Sequence, residues 1–339
     1  MSAAPLPPPD SSGAETYLSS HDWPQGLQTQ LIRGIYQTPI RFIIVDNSGS
    51  MITSDGRQFL TNGQNGRYVK CSRWTELTST LRFHAALAES ARAPTEFRLL
   101  NDAPPIILGM GDDNGQRHQF LLSLLDQSPS GRTPICKHIR EIIGRITQLA
   151  PQLRANNQKA VLIIASDGEA TDGNVALEMG PLKDLPVWVV IRLCTEEEEI
   201  CDYWNNIDKE LELDMDVLDD IVTEAEEVTK VNKWLTYGEP LHRLREFGIL
   251  IKEMDMLDET ALSPDQMRNV LAVILTGSPA SEIPHPAVDW ECFSLFVNNI
   301  LDSAPKTWCP LSKSLQPWIK TIQLTKVFKH DRSSTCIMM

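Results

Sequence analysis

The sequence predicts a doubly wound α/β fold: a mostly parallel sheet flanked by helices, followed by a small helical C-terminal extension. Three observations predict it. Arg41-Phe42-Ile43-Ile44-Val45 is an apolar, β-branched run that reads as a strand buried on both faces, and it stops abruptly at Asp46-Asn47-Ser48-Gly49-Ser50. A second run of the same kind, Lys159 to Ser166, stops at Asp167-Gly168. Around and between them, shorter strand-like runs alternate with segments of helical spacing, which implies parallel strands joined by right-handed crossovers.

Composition narrows the functional classes. A chain of 339 residues holds one large domain with appendages, or two small ones. A net charge of −14 argues against a protein that coats nucleic acid. No apolar stretch sits behind early basic residues, and no apolar run reaches membrane-spanning length. The seven cysteines form no Cys-x-x-Cys pair and have no histidine partner at zinc spacing. The expectation is a cytoplasmic chain with reduced thiols and no nucleic-acid partner.

Taken in order, residues 1–20 are rich in Pro and Ser and read as a disordered tail. Residues 21–37, with Trp23, Leu27, Leu31, Ile32 and Tyr36, read as a partly helical arm. The main domain is expected over 38–252. Within it, Asp55-Gly56, Asn62-Gly63 and Asn65-Gly66 are turn or hairpin signals. Leu77, Leu81, Ala85 and Leu87-Ala88 mark a helix over 74–91, in which His84 reads as a packed side chain. Residues 96–100 and 105–108 read as two short strands, and 118–125 as a helix. Thr133 reads as an N-cap with Pro134 as first helical residue, opening a helix striped by Ile135, Ile139, Ile142 and Ile146. Residues 187–193 are a further buried strand, Glu196 to Glu199 an acidic helix start, 214–220 an edge strand and 241–247 a closing helix. Residues 253–330 are expected to be a helical extension docked on the domain, starting at Ser263-Pro264 and carrying Trp290, Trp308 and Trp318. Residues 331–339 form a flexible tail.

The chemistry concentrates where the two central strands end. Asp46, Ser48 and Ser50 alternate along a turning backbone, and three oxygen side chains leaving one strand end can converge on a point. Hard oxygen ligands of this kind suit Mg²⁺ or Mn²⁺; the plainer alternative is a polar turn. Asp46-x-Ser48-x-Ser50, then Thr133 in Gly131-Arg132-Thr133-Pro134, then Asp167 in Ser166-Asp167-Gly168, resembles the complete metal-ion-dependent adhesion site (MIDAS) of von Willebrand factor A (vWA) domains, over roughly residues 38–250. The resemblance implies a six-stranded, Rossmann-like vWA fold of the stand-alone intracellular type, with first and fourth strands side by side at the sheet's reversal. It implies that Ser48, Ser50 and Thr133 offer hydroxyls to a Mg²⁺ at about 2.1 Å, and that Asp46 and Asp167 hold its waters or bind it directly. A protein partner would then complete the metal's shell with an Asp or Glu.

The expected function is thus a metal-dependent protein-interaction module rather than an enzyme. The alternatives are a metal-dependent hydrolase, against which stand the lack of a histidine or glutamate placed as general base and of a Gly-x-Ser-x-Gly elbow, and a scaffold whose metal is purely structural. At the C-terminus, Cys336-Ile337-Met338-Met339 resembles a CaaX box, which implies prenylation of Cys336. Lys306, Lys313, Lys320, Lys326, Lys329 and Arg332, against Asp331 alone, supply the basic second signal for reversible membrane association.

Overall fold

The computed structural model describes residues 8–62, 65–101, 103–111, 113–195, 197–211, 213–249 and 251–330. Its strands in chain order are β1 (Ile40–Val45), β2 (Gly56–Asn62), β3 (Asn65–Cys71), β4 (Thr95–Leu99), β5 (Ile106–Leu108), β6 (Ala160–Ser166), β7 (Val187–Leu193), β8 (Met215–Leu218), β9 (Thr307–Cys309) and β10 (Ser314–Gln316). Six of them form one sheet in the order β5-β4-β1-β6-β7-β8, and every pairing except the antiparallel β4–β5 is parallel. Counted within the sheet this is the order 3-2-1-4-5-6 of a doubly wound fold, in which the chain reverses direction between the first and fourth strands.

Strand side chains alternate between faces, and both faces are covered. Ile43 and Val45 point toward Leu77, Leu81, Ala85 and Ala88 of α3 (Arg73–Ser90). Phe42 and Ile44 point the other way, toward Ile135, Ile139, Ile142 and Ile146 of α5 (Ile135–Ala155). That is why β1 and β6 read as unbroken apolar runs. The remaining helices are α1 (Ser11–Ser19), α2 (Gln25–Gln37), α4 (Gln116–Leu125), α6 (Val175–Met179), α7 (Glu198–Leu211), α8 (Ile221–Val231), α9 (Glu239–Glu246), α10 (Lys252–Asp255), α11 (Pro264–Leu271), α12 (Trp290–Ser303) and α13 (Thr321–His330).

A third core joins the two ends of the chain. Ala14, Leu18, Leu27, Leu31 and Ile35 from α1 and α2 pack with Met267, Ile274, Phe293, Trp318 and Leu324 of the C-terminal residues. Gly26 makes this possible, because a Cβ there would lie 2.4 Å from the Ile274 backbone. The segment after α11 therefore docks directly on α2.

The structure departs from expectation in three places. Residues 11–19 are helical rather than disordered: Asp10 accepts a hydrogen bond from the Gly13 amide at 2.9 Å, and Ala14 and Leu18 find a core supplied by distant residues. The extension is not wholly helical, since β9 and β10 form a hairpin whose Trp308 meets Phe59 of β2. The helix starts one residue later than expected, with Pro134 rather than Thr133 at the N-cap position and no capping bond from either side chain. Asp172 supplies the cap instead, accepting from the Cys136 amide at 3.1 Å and the Lys137 amide at 2.8 Å. A carboxylate complements the positive end of the helix dipole better than a hydroxyl, which explains the displacement. The CaaX-like residues 336–339 lie outside the described residues.

Beneath the sheet, the fully buried Arg41 has no carboxylate partner among the described residues. Its guanidinium donates to the Phe247 carbonyl at 2.9 Å, to the Thr38 carbonyl at 2.9 Å and to the Thr38 hydroxyl at 2.8 Å, and it stacks on the Phe247 ring. Thr38 and Phe247 are the C-caps of α2 and α9. One cation thus serves two helix ends that carry partial negative charge. Arg41→Met keeps the bulk and removes the donors, so urea unfolding should show a loss of about 3 kcal/mol; a loss below about 1 kcal/mol would contradict this role.

Candidate metal centre

The register of β1 on β6 builds the centre. Pairing runs from Ile40↔Ala160 to Val45↔Ala165 and continues one step as the Asp46 amide donates to the Ala165 carbonyl at 2.9 Å. Asp46 and Asp167 therefore leave adjacent strand ends, at the crevice where doubly wound sheets take ligands.

Asp46 is fully buried. One carboxylate oxygen accepts from the Ser48 amide at 2.8 Å, and the other accepts from the Ser166 hydroxyl at 2.6 Å. Burial raises its pKa above the ordinary carboxylate value, the hydrogen bonds from Ser166 and Ser48 oppose the rise, and the like charge of Asp167 adds to it. Ser48 and Ser50 hydroxyls lie 3.0 Å apart, and Ser50 donates to Asp167 at 2.8 Å. The chain of oxygens Ser48, Ser50, Asp167 is continuous.

Thr133 arrives from a loop stitched to the same place. The Ser130 amide donates to the Asn47 carbonyl at 2.7 Å, and the Gly49 amide to the Gly131 carbonyl at 3.3 Å. Asn47 and Asn101 exchange hydrogen bonds, and Asn101 also donates to the Arg132 carbonyl at 2.8 Å. Gly131, at φ +97°, lies so close to Asn101 that a Cβ would come within 2.7 Å of that side chain. Thr133 spends its backbone on Thr171, giving its carbonyl to the Thr171 amide at 2.9 Å. Among the described residues no hydrogen bond engages the Thr133 hydroxyl.

This donor set fits a hard divalent cation. Mg²⁺–oxygen distances of about 2.1 Å put neighbouring ligands of an octahedron about 3.0 Å apart, which is the spacing of the Ser48 and Ser50 hydroxyls. The centre is hydroxyl-rich: among the described residues no cluster of three or more His, Cys, Asp or Glu has metal-holding geometry.

Arg73, at the start of α3, is a participant that the motif does not contain. Its buried guanidinium donates to the second oxygen of Asp167 at 3.0 Å, to both oxygens of Asp55 at 2.8 and 2.5 Å, and to Glu197 at 2.5 Å. The bonds it donates to Asp55 above all raise its pKa and hold it protonated. The hydrogen-bonded group around Arg73 thus contains the carboxylates of Asp167, Asp55 and Glu197. A sequence signal existed, since an arginine in the first turn of a helix opposes the helix dipole and needs an acidic partner. Nothing local indicated which carboxylates, because Asp167 and Glu197 are 94 and 124 residues away.

No family model and no curated protein matches the chain. Among solved structures, the crystallised VWA domain of SpRpn10 overlaps 54% of this chain and 88% of its own length, at 16% identity and a TM-score of 0.33. At that identity and score the overlap says nothing about ligand or partner.

Removing Arg73 leaves three carboxylates without their cation. Arg73→Met should raise Mg²⁺ affinity about tenfold through the added negative field, while lowering stability by about 3 kcal/mol. Paired calorimetric titration and urea unfolding read the two effects separately; an unchanged metal affinity would remove Arg73 from the electrostatics of the centre.

Proposed function

We propose that the chain is a divalent-metal-dependent protein-interaction module of vWA type. Asp46, Ser48, Ser50, Thr133 and Asp167 would hold Mg²⁺ or Mn²⁺, directly or through water, and a partner would supply an Asp or Glu side chain. The observation that carries this reading is the hydroxyl pair of Ser48 and Ser50 at 3.0 Å, joined through Ser50 to Asp167, with Thr133 on the loop whose backbone is bonded to Asn47 and Gly49. When bound, the metal supplies an electrophile whose charge is only partly neutralised by protein ligands, so an external carboxylate is a favourable addition.

Binding is favoured over hydrolysis by the surroundings of the five residues. None of them is hydrogen-bonded to a histidine among the described residues. His84 is buried against Phe83 and Phe247, and His138 meets the Leu100 carbonyl at 3.3 Å; burial lowers the pKa of each. Neither is placed as a base for a metal-bound water.

The test is calorimetric titration of Mg²⁺ and Mn²⁺ into the wild type, Asp46→Ala and Thr133→Ala. Heat in the wild type should vanish in Asp46→Ala and weaken at least about tenfold in Thr133→Ala. An undiminished titration in Asp46→Ala would place the metal elsewhere. Capture of a partner that survives EDTA unchanged would leave the metal a structural role only.

A further inference from the structure

A cavity of about 700 Å³ is lined by Arg67 and Lys70 of β3, by Lys313 between β9 and β10, and by Tyr68, Val222 and Pro310. It is assembled from three distant parts of the chain: the β2–β3 hairpin, the start of α8 and the C-terminal hairpin. Aromatic packing holds the hairpins together, with Phe59 5.1 Å from Tyr68 and 5.5 Å from Trp308. Arg67, Lys70 and Lys313 are exposed, and among the described residues no ion pair engages any of them. In a chain of net charge −14, a lining with these cations and Asp55 as its one acid is against the trend of the whole surface. Asp55 lines the same cavity and is bonded through Arg73 to Asp167, so the cavity and the metal centre share a wall.

We propose that this cavity is the second half of a two-point docking site for an acidic peptide segment of a protein partner. The proposal rests on the metal-dependent reading above: one carboxylate of the segment would reach the metal while neighbouring carboxylates lie against Arg67, Lys70 and Lys313. Charge complementarity selects the occupant. A long polyanion such as nucleic acid would meet acidic surface beyond the cavity, whereas a short acidic stretch finds its counter-charges confined to one place. The volume suits several side chains rather than a single small anion. Tyr68, Val222 and Pro310 supply apolar surface for the methylenes of the segment. Because Asp55 and Asp167 share Arg73, occupancy of the cavity and of the metal centre should favour each other.

The test uses a fluorescein-labelled oligoglutamate peptide and fluorescence anisotropy at low salt, with Mg²⁺ or with EDTA, in parallel with Mg²⁺ calorimetry. The triple variant Arg67→Ala/Lys70→Ala/Lys313→Ala changes exposed side chains and should fold normally. It should weaken peptide binding at least about tenfold while Mg²⁺ binding is retained or tightened, since removing cations makes the local field more negative. A control triple, Arg33→Ala/Lys183→Ala/Lys209→Ala, removes the same charge outside the cavity and should weaken binding less than about threefold. Equal binding by wild type and cavity variant with intact Mg²⁺ binding would overturn the docking site while sparing the metal reading. Equal losses in the two triples would also overturn it, as a general charge effect. Binding that is lost in the cavity variant but indifferent to EDTA, in a chain that takes up no Mg²⁺, would keep the cavity as an acidic-peptide site and reject its coupling to a metal.

Discussion

The structure depends on the parallel pairing of β1 with β6. Their register, from Ile40↔Ala160 to Val45↔Ala165, decides which residues emerge together at the carboxyl edge of the sheet. Side chains on a strand alternate between faces, so a one-residue slip would send the apolar sets of β1 to the wrong helices. Phe42 and Ile44 against α5, with Ile43 and Val45 against α3, lock that register from both sides. The site is therefore placed by packing: Asp46 and Asp167 are neighbours because the cores above and below the sheet admit no other alignment.

Burying a carboxylate at this point has a cost, visible in the raised pKa of Asp46, to which desolvation contributes most and the like charge of Asp167 adds least. Arg73 offsets part of it, at Asp167 rather than Asp46, and in doing so ties Asp55 of the loop after β1 and Glu197 before α7 to the centre. The bonded group holds three carboxylates against the one guanidinium. It also links the centre mechanically to the β2–β3 hairpin through Asp55, and the hairpin is in turn propped by Trp308 from the C-terminal residues. The extension thus has a bearing on the functional face as well as on stability.

The sheet was legible in the sequence because its signals are local. Unbroken β-branched runs, helical spacing between them and polar strand ends identified all six strands of the main sheet and put Asp46, Ser48, Ser50 and Asp167 just past the ends of two of them. What local pattern could not supply was the partner across space. Thr133 looks like an N-cap because Thr-Pro is a good local helix start; the actual cap, Asp172, comes from the loop after β6. Residues 11–19 look disordered because a Pro- and Ser-rich stretch has little to bury by itself; Ala14 and Leu18 are buried in a core to which α2, α3 and the C-terminal residues contribute. Arg73 lies in a segment with no motif, and its role exists only once β1, β6 and the loop after β7 meet.

The most direct test of the central claim is a crystal structure grown with Mn²⁺, with anomalous diffraction used to locate the ion. The account predicts an anomalous peak between the Ser48 and Ser50 hydroxyls, at about 2.1–2.2 Å from each, with Thr133 and Asp167 in its first or water-bridged shell. An anomalous map with no peak within hydrogen-bonding reach of Ser48 and Ser50, at Mn²⁺ concentrations that saturate calorimetric binding, would contradict it.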